Sequence, residues 1–197
     1  MNYSVALTPA GWKLSSPQAP LVVANARLPQ WAVRFVPGDG HGEQREHHYK
    51  HAVQQIESLD GDKRKLYELQ RDIFQLPDID MPLQHVFAPE LYLRTIFIPR
   101  GGLVVGKIHK HRHANVLSQG RVVIFTEHGG VEKWEGPLTM VSEPGTKRAV
   151  FAETDTYWTT IHKNPTNTQD LDELERDIIA ESYAEYEQWA RLNHVEV

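Results

Sequence analysis

The segment Gly106-Lys107-Ile108-His109-Lys110-His111-Arg112-His113-Ala114-Asn115 sets three histidines at alternate positions, just after the apolar run Leu103-Val104-Val105. Side chains of a β-strand alternate faces with a period of two. For as long as the strand stays regular, Lys107, His109, His111 and His113 share one face. Neutral imidazole is the commonest metal ligand, so such a face is a natural cradle for a divalent cation. The chain has no cysteine. A metal site must then use His, Asp, Glu, other oxygen donors or water.

The elements that must position these side chains can be followed along the chain. Leu21–Ala26 and Trp31–Val36 read as short strands, ended by the turn cluster Pro37-Gly38-Asp39-Gly40. A helix is expected from about Glu43 to Leu59, with Tyr49, Ala52, Val53 and Ile56 at helical spacing. His47, His48 and His51 lie on it, and a polar solvent-facing stripe is the better reading of them than a paired-ligand site. Asp62 can cap a second helix whose stripe is Leu66, Leu69, Ile73 and Leu76, with Pro77 as its end. From His85 the pattern turns to short β segments: Leu91–Ile98, Leu103–His109, Val116-Leu117, Arg121–Phe125, Val131–Trp134, Leu138–Val141, Ala149–Ala152 and Tyr157–His162. Gly and Pro turns separate them, and Gly129-Gly130 is a hairpin signal that puts His128 in the open. Strands without intervening helices imply a closed or double-sheet β structure. Asp170 with Glu173 looks like a capping pair. It opens one long C-terminal helix with the stripe Leu171, Leu174, Ile178, Tyr183 and Tyr186. The expected division is an N-terminal arm and helical subdomain over 1–82, a β-barrel over 83–164 and a C-terminal helix over 165–197.

Composition narrows the function. The 197 residues carry a formal net charge of −5, which offers no basic face for nucleic acid. No apolar run reaches the length of a membrane span. Met1–Pro20 lacks the basic and apolar regions of a signal peptide. The expectation is a cytoplasmic protein without nucleic-acid or membrane partners.

The region from about His85 to His162 resembles the cupin superfamily, a small jelly-roll β-barrel. That family's first motif runs glycine, His-x-His, a third ligand and a closing glycine. Counted back from Gly120, this chain matches at His109, His113 and Gly120 and departs at Lys107, whose ammonium cannot coordinate while protonated. The other register, His109 with His111, leaves poor spacing to a third ligand. The second motif, Pro-x-Gly-x-x-His, is met by Pro144 and Gly145, but Arg148 stands in the histidine position. Arginine stays protonated and suits a carboxylate or phosphate held bidentately. A surface charge blunting an edge strand is the competing reading of Lys147 and Arg148. His162 is a substitute ligand, with Trp158 and Thr160 on its own face.

The resemblance thus implies a mainly β, cupin-type jelly-roll barrel with a metal set of His109, His113 and His162. Zinc, iron, manganese and nickel all fit such a set. Lys107, Arg148 and Trp158 are the candidate ligand contacts, with a place in the core as the plainer reading of Trp158. His85 is read as a satisfied histidine and His111 as a solvated turn residue. The segments Phe87–Tyr92, Gly106–Lys110 and Thr159–His162 also look like small cupin-fold proteins of tailed bacteriophages. That likeness implies a homo-oligomer and, as partners, phage structural proteins, in the host cytoplasm or the virion. Three functions follow as expectations. The first is a barrel that binds a metal or a small anion. The second is a structural part of a virion. The third is a metal-dependent dioxygenase or isomerase with Glu153 or Lys107 moving a proton.

Overall fold

The structure, a computed structural model, describes residues 4–8, 11–15, 59, 61–73, 80–127 and 130–195. The strands expected over 21–36, the helix over 43–59 with its three histidines, and His128 lie outside these residues. A hairpin of β1 (Ser4–Thr8) and β2 (Gly11–Ser15) comes first. Helix α1 (Gly61–Ile73) follows, with Asp62 inside its first turn and not at its cap.

Two antiparallel sheets hold the rest. The larger has the order β10–β7–β12–β4–β3 and the smaller β5–β11–β8–β9. The larger is built from β3 (Leu83–Ala88), β4 (Leu91–Ile98), β7 (His113–Gln119), β10 (Leu138–Ser142) and β12 (Thr156–Lys163). The smaller contains β5 (Leu103–Val105), β8 (Arg121–Thr126), β9 (Gly130–Glu135) and β11 (Arg148–Ala152). Among the described residues no ladder joins the two sheets edge to edge, so the mainly β fold is an open two-sheet sandwich and not the closed barrel expected. Ile96, Leu117 and Trp158 of the larger sheet share one core with Leu103, Val122, Ile124 and Ala149 of the smaller. Leu66, Leu69 and Ile73 of α1 enter the same core, as their spacing predicts.

Two expected elements differ. The strand over 103–109 breaks at Gly106-Lys107, where the Gly106 amide donates to the Arg148 carbonyl at 2.8 Å. The chain then forms the two-residue β6 (Ile108–His109). The long C-terminal helix is instead α2 (Leu171–Ile178), β13 (Ile179–Ala180) and α3 (Tyr183–Leu192). The helical stripe runs straight through, but β13 pairs with β6, setting Ile179 against His109. Pairing between distant segments overrides local helical preference here. Asp170 caps α2 as read from sequence, accepting from the Asp172 and Glu173 amides, and Ser182 caps α3.

Gly120, between β7 and β8, has no room for a side chain. Its φ of +111° is open to glycine, and an added Cβ would lie 2.3 Å from Thr156 Oγ1 and 2.9 Å from the Asp155 carbonyl. Gly120→Ala is therefore expected to lose about 2 kcal/mol. That should lower the thermal midpoint by roughly 4–8 °C, with an unchanged midpoint in calorimetry as the contrary result.

Candidate metal centre

Register builds the site. On the inner face of the larger sheet, His162 pairs with Tyr92, Thr160 with Arg94, and Trp158 with Ile96. On the other side of β12, Thr160 pairs with Asn115 and Trp158 with Leu117. One step further along, His113 comes level with His162, and Ser142 of β10 pairs with His113. The face thus grades from apolar rungs at Trp158 to polar rungs at His162.

The third imidazole arrives separately. Residues 110–112 bend the chain between β6 and β7, so the expected common face for residues 107–113 does not form. His111 turns away and meets the edge of Trp189 at 5.0 Å. The bend brings His109 to His113, with His109 Nδ1 2.9 Å from His113 Nε2. His109 ring centroids lie 4.2 Å from His113 and 4.9 Å from His162, and His113 lies 4.6 Å from His162. One ring nitrogen or more from each falls within 4.8 Å of the others. The set read from sequence is brought together. Gly145 fixes its edge: its amide donates to the His109 carbonyl at 2.9 Å, and a Cβ there would meet the Tyr186 ring at 2.5 Å.

The three rings are ready as ligands. A carbonyl only accepts, so His113 Nδ1 donates to the His111 carbonyl at 3.0 Å, which leaves Nε2 unprotonated as the acceptor facing His109 Nδ1 at 2.9 Å. His162 Nδ1 is buried with no hydrogen-bond partner, a costly state for a polar atom and one that a bound cation would relieve. Burial pushes His162 down to about 3, aided by His113 and Arg94. Burial likewise holds His113 down at about 4, against the His111 carbonyl that raises it. His109 is held well below the usual value by burial and by its two histidine neighbours. All three are neutral at pH 7, as metal binding requires. The donor set and the orphaned nitrogen fit a divalent metal.

The remaining candidates are placed as follows. Arg148 comes from the opposite sheet, donates through Nη2 to Ser142 Oγ at 2.5 Å and has its Cζ 5.9 Å from the Trp158 ring centroid. Trp158 is buried and donates to Asn115 Oδ1 at 3.0 Å, while Asn115 Nδ2 donates to Ser142 Oγ at 2.7 Å. The edge-strand reading of Lys147 and Arg148 is overturned, because β11 lies between β5 and β8. Lys147 is 2 % exposed and donates to the Gly106 carbonyl at 2.8 Å. The Lys107 ammonium is engaged by Glu175 of α2. Glu153 follows β11 at the end away from the histidines and pairs with Lys133 at 2.9 Å, so it does not reach the site. His85 is satisfied by the Tyr92 hydroxyl at 2.7 Å. A separate cleft of about 420 Å³ at the Gly120 end, lined by Arg100, Arg121 and Glu135 among others, holds none of the histidines.

Sequence reasoning missed Arg94. It shares strand parity with Tyr92 and Ile96 and so faces inward, one rung below His162. That parity was the available signal.

No family model matches the sequence, and no curated protein does. Solved structures with a similar fold include an RmlC-like cupin with a double-stranded β-helix from Methanocaldococcus jannaschii, at 11% identity over 44% of this chain and 84% of that one, with a TM-score of 0.38. An uncharacterized protein with a double-stranded β-helix domain from Klebsiella pneumoniae matches at 9% identity over 45% and 81%, with a TM-score of 0.39. A cupin domain from Bordetella pertussis matches at 12% identity over 43% and 93%, with a TM-score of 0.35. No helix among the described residues is long and apolar enough to cross a membrane.

The depressed imidazoles predict acid lability. An unfolded histidine takes up a proton near 6.5, while folded His113 and His162 do so only near 4 and 3. Their contribution is complete above about pH 6.5 and is lost as pH falls toward those lower values. Metal-free protein should lose denaturant stability between pH 7 and pH 4. His162→Gln should flatten that slope by up to about 1.4 kcal/mol per pH unit. An unchanged slope in the variant would contradict the assignment.

Proposed function

We propose that this protein is a cupin-type domain that holds a divalent metal on His109, His113 and His162 and offers the remaining coordination positions to a small ligand. The observation that carries the reading is the meeting of three neutral imidazoles from three strands, one with an orphaned nitrogen. The resemblance at His109, His113 and Gly120 agrees with it. Zinc, iron, manganese and nickel all accept such donors. When bound, the metal supplies Lewis acidity, polarising a ligand oxygen or lowering the pKa of a bound water.

The chain's own residues define the rest of the site. His113 is oriented by the His111 carbonyl, and His109 by the Gly145 amide on its carbonyl and by the β13 ladder. Solvent reaches the histidine end: His109, Arg94, Thr160 and Arg148 are all part-exposed although they face inward. Trp158, Ile96 and Leu117 are buried beneath and close the floor. A ligand therefore enters between the sheets at this end.

Metal analysis of untagged protein should find about one divalent ion per chain. The His109→Ala, His113→Ala double variant should lose at least nine-tenths of it, and His111→Ala should keep it. Parent protein that neither carries metal nor takes up added Co2+, Zn2+, Mn2+ or Ni2+ would end this reading.

A further inference from the structure

Two guanidinium groups flank the histidines from opposite walls. Arg94 projects from β4 of the larger sheet, between the Tyr92–His162 and Ile96–Trp158 rungs. Arg148 projects from β11 of the smaller sheet and is tied to Ser142, which pairs with His113. Among the described residues the Arg94 guanidinium makes no hydrogen bond and no ion pair, although its position is half-buried and inward-facing. A half-buried guanidinium with no anion is costly, and its planar fork matches a carboxylate.

The carboxylates nearest these cations are committed to other partners. Glu127 accepts from the Lys147 amide and the Tyr183 hydroxyl. Glu132 accepts from Trp134 Nε1. Glu175 engages Lys107. Glu127 and Glu132 still attract the Arg148 charge from a distance, whereas Arg94 stands beside the three neutral imidazoles with no carboxylate among the described residues bonded to it. A divalent metal would add two further positive charges. The walls between the cations are organic: the Trp158 indole under Arg148 and the Tyr92 ring, whose centroid is 6.2 Å from that of His162.

We propose that the ligand of this site is a small organic carboxylate, held by Arg94 and Arg148 across the metal face. Arg94 is the new binding residue, with a carboxylate oxygen pair on its fork and the organic body against Trp158 and Tyr92. The proposal rests on the metal reading for the metal face but not for the arginine pair.

The test uses malonate as probe, with malonamide as its neutral isostere and inorganic phosphate as the competing oxyanion. Each is titrated into Co2+-loaded full-length protein, followed by calorimetry and by the visible spectrum of the metal. Malonate should bind and shift the spectrum, malonamide should bind at least tenfold more weakly, and phosphate more weakly than malonate. Arg94→Met should keep its Co2+ and weaken malonate at least tenfold. Arg94→Lys, which keeps the charge and loses the fork, should fall between, and it serves if the Met variant does not fold. Equal malonate affinity in parent and Arg94 variants would overturn the proposal, as would phosphate binding as tightly as malonate. If the protein takes up no Co2+, the same titration on metal-free protein decides the arginine pair alone. Malonate binding that depends on Arg94 sustains the pair, and its absence overturns it.

Discussion

Strand β12 is hydrogen-bonded on both sides, to β4 and to β7, over nearly its whole length. That double ladder fixes which of its residues face the other sheet. A slip of one residue in such a strand turns every side chain to the opposite face. In the observed register Thr156, Trp158 and His162 are buried, while Tyr157 and Lys163 are exposed. The floor of the site and one of its imidazoles are thus set by one pairing. The bulge between Tyr157 and Trp158 lies below the site and leaves the His162 rung regular.

The sandwich divides its interior by chemistry. One end is apolar and packed, with Leu103, Leu117, Val122 and Ala149 shut off from water. The other holds imidazoles, guanidiniums, Asn115 and Ser142. Burying polar groups without partners is costly. Here Asn115 bridges Trp158 and Ser142, and Ser142 also receives Arg148, so the polar layer is largely tied together. The exceptions, His162 Nδ1 and the Arg94 guanidinium, both sit at the histidine end. A polar network that is almost complete localises the groups left over for something from outside.

Much of this could be seen in the residues. Gly and Pro turns bounded the strands from Leu91 to His162, and the spacing of His109, His113 and Gly120 pointed to the cluster. Four features escaped for physical reasons. The bend at 110–112 is held by pairing with β13, far along the chain, so the regular alternation of residues 107–113 fails there, while His111 is the turn residue read from sequence. The helical stripe through Leu174, Ile178 and Tyr183 is real, yet the same chain yields Ile179-Ala180 to an exposed strand edge. Lys147 looks like surface charge in sequence. It is buried because the Gly106 carbonyl and the Tyr67 ring, whose centroid lies 4.8 Å from its Nζ, receive the ammonium. Arg94 was hidden in an apolar strand where only parity betrays its direction.

The short ladder between β13 and β6 ties the segment after α2 to the backbone that carries His109: Ile179 sits opposite His109, and the Lys110 amide donates to the Ile178 carbonyl at 2.7 Å. Lys110 Nζ adds a bond to the Arg176 carbonyl at 2.8 Å. The helices on either side of β13 are thereby a clasp fastened to one imidazole's main chain. A pull on that clasp is therefore delivered to the main chain of His109, and through it to one corner of the donor set.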